Sequence, residues 1–289
     1  MNIEQPLVSV LMTAYNRQSF IAEAIESVLA STYTNFELII VDDCSTDNTV
    51  NIANEYAIKD SRVKVYVNEK NVGQFNNRNR AATLAKGKYI KYLDSDDTIL
   101  EFGVAYCVEN MEKFPEAGMG LYAEPTYTNE EAYCMPSEKI IREHFFTKQK
   151  LSVGPTGTII NRKMFEKFGF FDGQYGVPSD MFFNIKFAAS SPIVLLPKMF
   201  VFYRRHDGQE INNQMDYLQY GYLYQKELFT NTYLPLKNSE VNYLYSKLQK
   251  RHAVNLIKYF FKTKSFIKTN LVVKKTTFTW LKIITSLFN

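Results

Sequence analysis

Within its first hundred residues the chain repeats one pattern, a short apolar run followed by a helical period. "LVSVLM" (7–12), "ELIIVD" (37–42) and "KYIKYLD" (88–94) have the length and branched content of buried strands. "RVKVYVN" (62–68) alternates with period two, as a strand nearer a sheet edge does. Between them Phe20, Ile21, Ala24, Ile25, Val28 and Leu29 recur at helical spacing. "CSTDNT" supplies N-cap residues for a helix carrying Val50, Ala53 and Ala57, and "NRAATLAKG" reads as a helix closed by Gly87. Strands alternating with helices require right-handed crossovers, so the expected fold class is α/β, a Rossmann-like, mostly parallel sheet flanked by helices.

In such sheets ligands bind beyond the carboxyl ends of the strands. Three polar clusters fall there: "TAYN" after the first strand, "DDCSTD" after the second and "DSDD" (94–97) after the fourth. Three aspartates in four positions repel one another, so they form either a solvated turn or the seat of a divalent cation. One such cluster carries little weight, but three on one edge point to a single site. No Gly-x-Gly-x-x-Gly follows the first strand, and "AKGK" around Gly87 lacks the upstream glycine of a phosphate-cradling loop. A nucleotide here would be held without a glycine-rich cradle. A metal on the aspartates can take its phosphates, Tyr15 can stack on a base, and Asp43 can accept from an imide N–H or ribose hydroxyls.

Further along, 119–127 reads as a strand, 137–149 as a helix, and 154–169 as loop, strand and short helix. Ser179 stands near the cap of a helix, and 193–206 reads as two strands broken at Pro197. Beyond about residue 213 the pattern is helical, which divides the chain into a catalytic unit at 1–212 and a helical extension at 213–289. The net charge of +4 conceals an asymmetry: ten basic and no acidic residues lie between Val241 and Asn289. The three cysteines form no CxxC pair, which favours a reducing compartment. No signal peptide is expected from "MNIEQPLVSV", and no run reaches the roughly 18 apolar residues of a membrane span.

Taken in order and spacing, "VSVLMTAYNR", "FELIIVDDCSTDNT", "NVGQFNNRNRA", "AKGKYIKYLDSDD" and "SDMFFNIKFA…YRRHDGQ" resemble the family 2 glycosyltransferases over about residues 6–210. The resemblance implies a GT-A fold and inverting transfer from a nucleotide-diphosphate sugar, UDP favoured, with Mn2+ or Mg2+. It implies a hexosyl or hexosaminyl group passed to a glycan or lipid-linked acceptor in bacterial surface polysaccharide synthesis. Carried over residue by residue, Tyr15 stacks on the base, Asp43 contacts it, and Arg78 lies near base and phosphates. Asp94 reaches the ribose side, Asp96 is the metal ligand of the DXD motif, Asp97 supports either role, and His206 is a second metal ligand. Asp180 is the catalytic base. The chain departs from the pattern at Ser179-Asp180, where many relatives carry Glu-Asp.

The chemistry needs these residue types. In a single displacement the acceptor hydroxyl loses its proton on the face opposite the leaving diphosphate, so one carboxylate belongs there, apart from the metal. A cation neutralises the diphosphate as it leaves. A carboxylate at a helix N-terminus stays ionised but is a weaker base. Three other classes fit the residues less well. A nucleotidyltransferase wants a glycine in its first loop, which "TAYNRQSF" lacks. A catalytically dead binding module sits poorly with Asp43, Asp94, Asp96, Asp180 and His206 retained together. An EF-hand lacks its glycine and final glutamate.

Blander roles stand beside several residues. Asp180 can be an N-cap and His206 a loop histidine. Asp172 is expected to cap a turn, Cys44 to pack, and His144 and His252 to be structural or on the surface. Asp42 can bond the backbone or a ligand. The basic, aromatic tail either packs on the catalytic unit or makes peripheral contact with the inner face of the cytoplasmic membrane. A cytoplasmic location and no nucleic-acid partner are expected.

Overall fold

Each strand is set by the sheet neighbours it finds. The computed structural model describes residues 5–124, 131–206, 214–231 and 233–288. The first half runs β1 (Val8–Ala14), α1 (Ile21–Leu29), β2 (Phe36–Asp42), α2 (Thr49–Lys59), β3 (Val63–Val67), α3 (Gln74–Leu84) and β4 (Tyr89–Tyr92). β5 (Thr98–Ile99), α4 (Gly103–Lys113), β6 (Met119–Tyr122), β7 (Tyr133–Met135) and α5 (Ser137–Phe146) follow. Then come β8 (Thr158–Asn161), α6 (Arg162–Phe168), α7 (Ser179–Ser190), β9 (Ile193–Leu196) and β10 (Val201–Phe202). Four helices close the chain: α8 (Gln214–Thr230), α9 (Asn238–Thr263), α10 (Phe266–Lys275) and α11 (Trp280–Phe288).

Among the described residues the main sheet has eight strands in the order β3-β2-β1-β4-β8-β6-β9-β7. β3, β2, β1 and β4 are mutually parallel, while β8 and β7 run against their neighbours. Period-two alternation sorts the side chains: Val8, Val10 and Met12 of β1 pack with Ile21, Ile25 and Val104 on one face. Leu11 turns to the other face with Ala81, Phe165 and Phe182. Each fully buried aliphatic or Phe side chain of this kind contributes about 1.5–3 kcal/mol of transfer free energy.

The expected strands and crossovers are all present, and β5, β7 and α4 are additions. α4 carries Val104, Cys107, Val108 and Met111 at helical spacing, a signal that was readable. β7 is three residues long and follows residues 125–130, so it carries too little pattern to read. The strand expected over 119–127 is ordered as 119–122, with 125–127 outside the described residues. The boundary expected at 212 also lies outside them. The helical extension shares one buried cluster with the sheet: Tyr222, Leu228, Leu248, Leu256 and Val272 belong to the same core as Leu11, Ile90 and Phe165.

Gly87 does not close a helix. α3 ends at Leu84 with Ala85 extended, and Gly87 is needed where the chain passes under β1. A Cβ there would lie 2.5 Å from the Ser9 nitrogen and 2.7 Å from the Leu7 carbonyl oxygen, both backbone. Gly87→Ala therefore forces β1 and β4 apart and is expected to cost about 3 kcal/mol, the upper part of the overpacking range. Urea unfolding should show a lower midpoint at unchanged slope; an unchanged midpoint would refute the close approach.

Candidate active site

Strand register assembles the site before any side chain does. Ala14 of β1 lies beside Asp42 of β2, and Leu11 beside Tyr92 of β4, so the residues following all three strands emerge at one edge. They open onto a cleft of about 1160 Å³ lined by Tyr15, Asp43, Arg78, Asp94, Asp96, Asp97, Asp180 and His206. All eight, each singled out in the sequence, are thus brought together.

Tyr15 stands half-exposed at the cleft edge. Asp43 is buried: it accepts from Asn68 Nδ2 (2.6 Å), Val72 N (2.9 Å) and Gly73 N (2.9 Å), and so fixes the 68–73 loop as a wall. Asp42, left open in the sequence, bonds the backbone: its carboxylate accepts the Ser45 N–H at 2.7 Å and the Ser45 hydroxyl at 2.5 Å. Cys44 follows with φ of 67° and is half-buried, so it is a strained loop residue rather than part of the packed core.

The aspartate cluster is a turn with charged partners. Asp97 N donates to Asp94 O at 2.9 Å, and Asp94 N donates to the Thr156 hydroxyl at 2.9 Å. Arg78 donates from Nη2 to Asp94 Oδ1 at 2.7 Å and from Nη1 to Gln74 at 3.1 Å. Its Nε is buried with no partner among the described residues. Asp96 Oδ2 lies 3.0 Å from Arg17 Nε and 3.0 Å from His206 Nε2. Burial first, and then the Asp94 charge, push the Asp97 carboxyl up to about 7.

His206 reaches Asp96 across 110 positions because β10 pairs antiparallel with β5, the strand directly after the cluster. The ring stacks on Phe20 with centroids 4.7 Å apart, and Arg204 covers the same phenyl at 5.2 Å. His206 is therefore held in the site, not a loose loop histidine.

Asp180 reaches the cleft from the first turn of α7. Asn79 of α3 exchanges two hydrogen bonds with the Phe171 backbone (2.8 and 3.1 Å), anchoring the segment that leads into α7. Asn184 ties α7 to the carbonyls of Leu151 and Val153. The N-cap position of α7 is Pro178, so Asp180 does not occupy it, though its carboxylate accepts the first-turn Met181 N–H at 2.7 Å. Ser179 is wholly buried and turned away from solvent. Burial raises the Asp180 carboxyl to about 6, against the opposing Arg78 charge. Desolvation thus outweighs the acid-strengthening helix terminus here.

Sequence reasoning missed four parts of this site. Arg17 was visible in "TAYNR", but nothing in the local pattern marks it as the partner of Asp96. Thr156 lies in a turn 62 positions from Asp94. Tyr217 of α8 lines the cleft from the helical extension. Lys91, wholly buried, donates to the carbonyls of Tyr92 (2.6 Å) and Thr156 (2.5 Å), pinning that turn under the aspartates. Burial pulls its ammonium down to about 8. The remaining side roles are structural: His144 Nδ1 accepts the Leu151 N–H, His252 stacks on Tyr222, and Asp172 caps a turn through Gln174 N.

The donor set suits a hard divalent cation. Asp96 offers a carboxylate and His206 an imidazole 3.0 Å apart in the cleft, with the Asp97 carboxyl one residue on. Among the described residues no three His, Cys, Asp or Glu side chains form a complete cage. Such a partial set fits a cation that fills its shell with phosphate oxygens and water.

The sequence pattern described as glycosyl transferase family 2 matches residues 9–169, more than half of the chain. A UDP-Glc:alpha-D-GlcNAc-diphosphoundecaprenol beta-1,3-glucosyltransferase of Escherichia coli is 39% identical over 127 residues, 44% of this chain and 48% of that protein. The chain thus spans about half the length of that curated relative, and 49% of another from Bacillus subtilis. The crystal structure of Staphylococcus aureus TarS 1–349 in complex with UDP-GlcNAc superposes with a TM-score of 0.72 at 19% identity, covering 97% of this chain and 81% of that one. A mannosyltransferase from Pyrobaculum calidifontis in complex with GDP-Man and Mn2+ gives 0.65 at 13% identity, covering 99% and 87%. Those two likenesses show the fold, the GT-A arrangement of a mixed sheet flanked by helices. The pattern matched from β1 through α6 carries the rest: the chain belongs to glycosyltransferase family 2.

Proposed function

We propose that this protein is an inverting, metal-dependent glycosyltransferase that moves a hexosyl or hexosaminyl group from a UDP-sugar to a hydroxyl of a lipid-linked or glycan acceptor in bacterial surface polysaccharide synthesis. The observation that carries this reading is a single cleft in which Tyr15, Asp43, Asp94 and Asp96 from the strand ends and Arg78 from α3 are gathered with Asp180 from α7. UDP is favoured because a fold relative is described with UDP-GlcNAc, and the acceptor class because an E. coli relative is named for a diphosphoundecaprenol acceptor.

Each residue then has a task. Tyr15 stacks on the base, and Asp43 receives its N–H while holding the 68–73 wall. Arg78 and Asp94, locked as a pair, orient ribose and phosphates. Asp96 and His206 would hold a divalent cation, which would supply charge neutralisation on the departing diphosphate. The acceptor oxygen attacks the anomeric carbon as the bond to the diphosphate oxygen breaks, and Asp180 takes the hydroxyl proton. A base titrating at about 6 is ionised at neutral pH yet a stronger acceptor of protons than an ordinary aspartate.

Two outcomes are expected. In calorimetric titrations UDP binds in the presence of Mn2+ more tightly than GDP or dTDP, and Asp96→Asn loses the manganese dependence. Equal behaviour of variant and wild type would remove Asp96 from the metal site. Asp180→Asn lowers transfer by about 10²–10⁴-fold, the usual contribution of a general base, with UDP binding retained.

The second variant also reads out burial. Because the folded-state value of Asp180 lies above that of the unfolded chain, its ionised form costs stability as pH rises through about 6. Asp180→Asn is then more stable than wild type at pH 8 by about 1–3 kcal/mol, the gain shrinking as pH falls toward 4. Wild-type kcat/KM falls as pH drops through about 6. A pH-independent stability difference would contradict the half-buried, ionisable base.

A further inference from the structure

The last three helices use only one side for packing. Ala253, Leu256, Val272, Val273, Phe278 and Ile283 are buried in the shared core. The other side presents large apolar groups: Phe261 is 70% exposed, Ile267 83% and Leu281 71%, with Phe266, Trp280 and Ile284 beside them. These belong together, since Phe266 stacks on Trp280 with centroids 5.2 Å apart, and only Lys264 and Ser265 separate α9 from α10. Lys262, Lys264, Lys268 and Lys282 are exposed among them, and no acidic residue occurs beyond Glu240.

We infer that this face is a docking surface for an anionic lipid bilayer, on which the end of α9, the start of α10 and α11 lie flat. Apolar groups of this size exposed together and interleaved with lysines match an interface where acyl chains take the rings and phosphate headgroups take the ammonium groups. The chemistry disfavours a second copy of the chain, since a self-facing contact would bring two lysine-ringed surfaces together. Among the described residues no helix is long and apolar enough to cross a membrane, so the contact lies on the bilayer.

Position links the face to the cleft. Lys262 Nζ, at its border, donates to Gln214 Oε1 at 2.5 Å in the first turn of α8, and Tyr217 one turn later lines the cleft. Docking through this face would hold the cleft wall next to the membrane surface, where a lipid-linked acceptor presents its hydroxyl. That last step rests on the proposed function; the docking itself does not.

The test is flotation of the full chain with vesicles of phosphatidylcholine alone or with phosphatidylglycerol, at 0.1 and about 0.5 M salt, where the Debye length shortens from about 10 Å to about 4 Å. Binding to the anionic vesicles is expected, reduced at least tenfold by high salt and by the combined variant Phe261→Ser, Ile267→Ser, Leu281→Ser. All three side chains are exposed, so the core is untouched, and UDP binding by the same variant checks that it is folded. Vesicle binding that is absent, or unaltered in a folded variant, overturns the docking face. So does sedimentation showing a wild-type dimer that the variant converts to monomer, which would make the face a contact between copies. UDP binding without vesicle binding overturns the docking alone, and vesicle binding without UDP binding overturns the proposed function alone.

Discussion

Five carboxylates lining one cleft, three of them within the turn at 94–97, are the constraint around which the structure is arranged. Two unit charges about 4 Å apart repel by about 4 kcal/mol at an effective dielectric of about 20, so such a cluster survives only if cations and hydrogen-bond donors are built in around it. Arg78 takes Asp94, Arg17 and the His206 ring meet one oxygen of Asp96, and the backbone N–H of Arg204 bonds Asp97. Beneath them lies Lys91, charged and wholly buried, with both its carbonyl partners in the shell that supports the turn. Burying a lone ammonium costs several kcal/mol, and the nearby Asp94 and Asp97 charges help to keep it protonated.

These partners come from separate parts of the fold, which ties the site to the architecture. Arg17 follows β1, Arg78 lies in α3, Thr156 precedes β8, and His206 returns along the β5–β10 pair. Loss of any one connection removes a partner from the aspartate turn. The two short strands, two residues each, therefore matter more to the site than their length suggests, because they set the register that brings His206 to Asp96.

The helical extension is more than an appendage. α8 supplies Tyr217 to the cleft, and its aromatic residues pack on the loop and helix that carry Asp180. Tyr224 touches Tyr175 and Phe182, and Tyr175 donates to Glu227. A change in these helices is thus transmitted to the base through direct packing. Their outer side, rich in lysine and aromatic rings, contributes nothing to that packing, which is why it is available for a partner.

Much of this was legible along the chain. The parallel sheet follows from apolar runs and helical periods, because burial on both faces demands that pattern wherever the strand stands. Tyr15, Asp43, Asp94 and Asp96 follow too, since strand ends in such a sheet share one edge. Local sequence determined which groups reach the cleft floor and that a basic, aromatic tail ends the chain. Tertiary structure alone decided what those groups do to one another. Nothing near Asp96 in sequence announces Arg17 or His206, and nothing near Asp180 says that burial outweighs the helix terminus. Whether the tail packs or projects was likewise settled only by folding, and it does both. The reason is common to all three: charge pairing, desolvation and exposure depend on distances between residues remote in sequence, which no local pattern encodes.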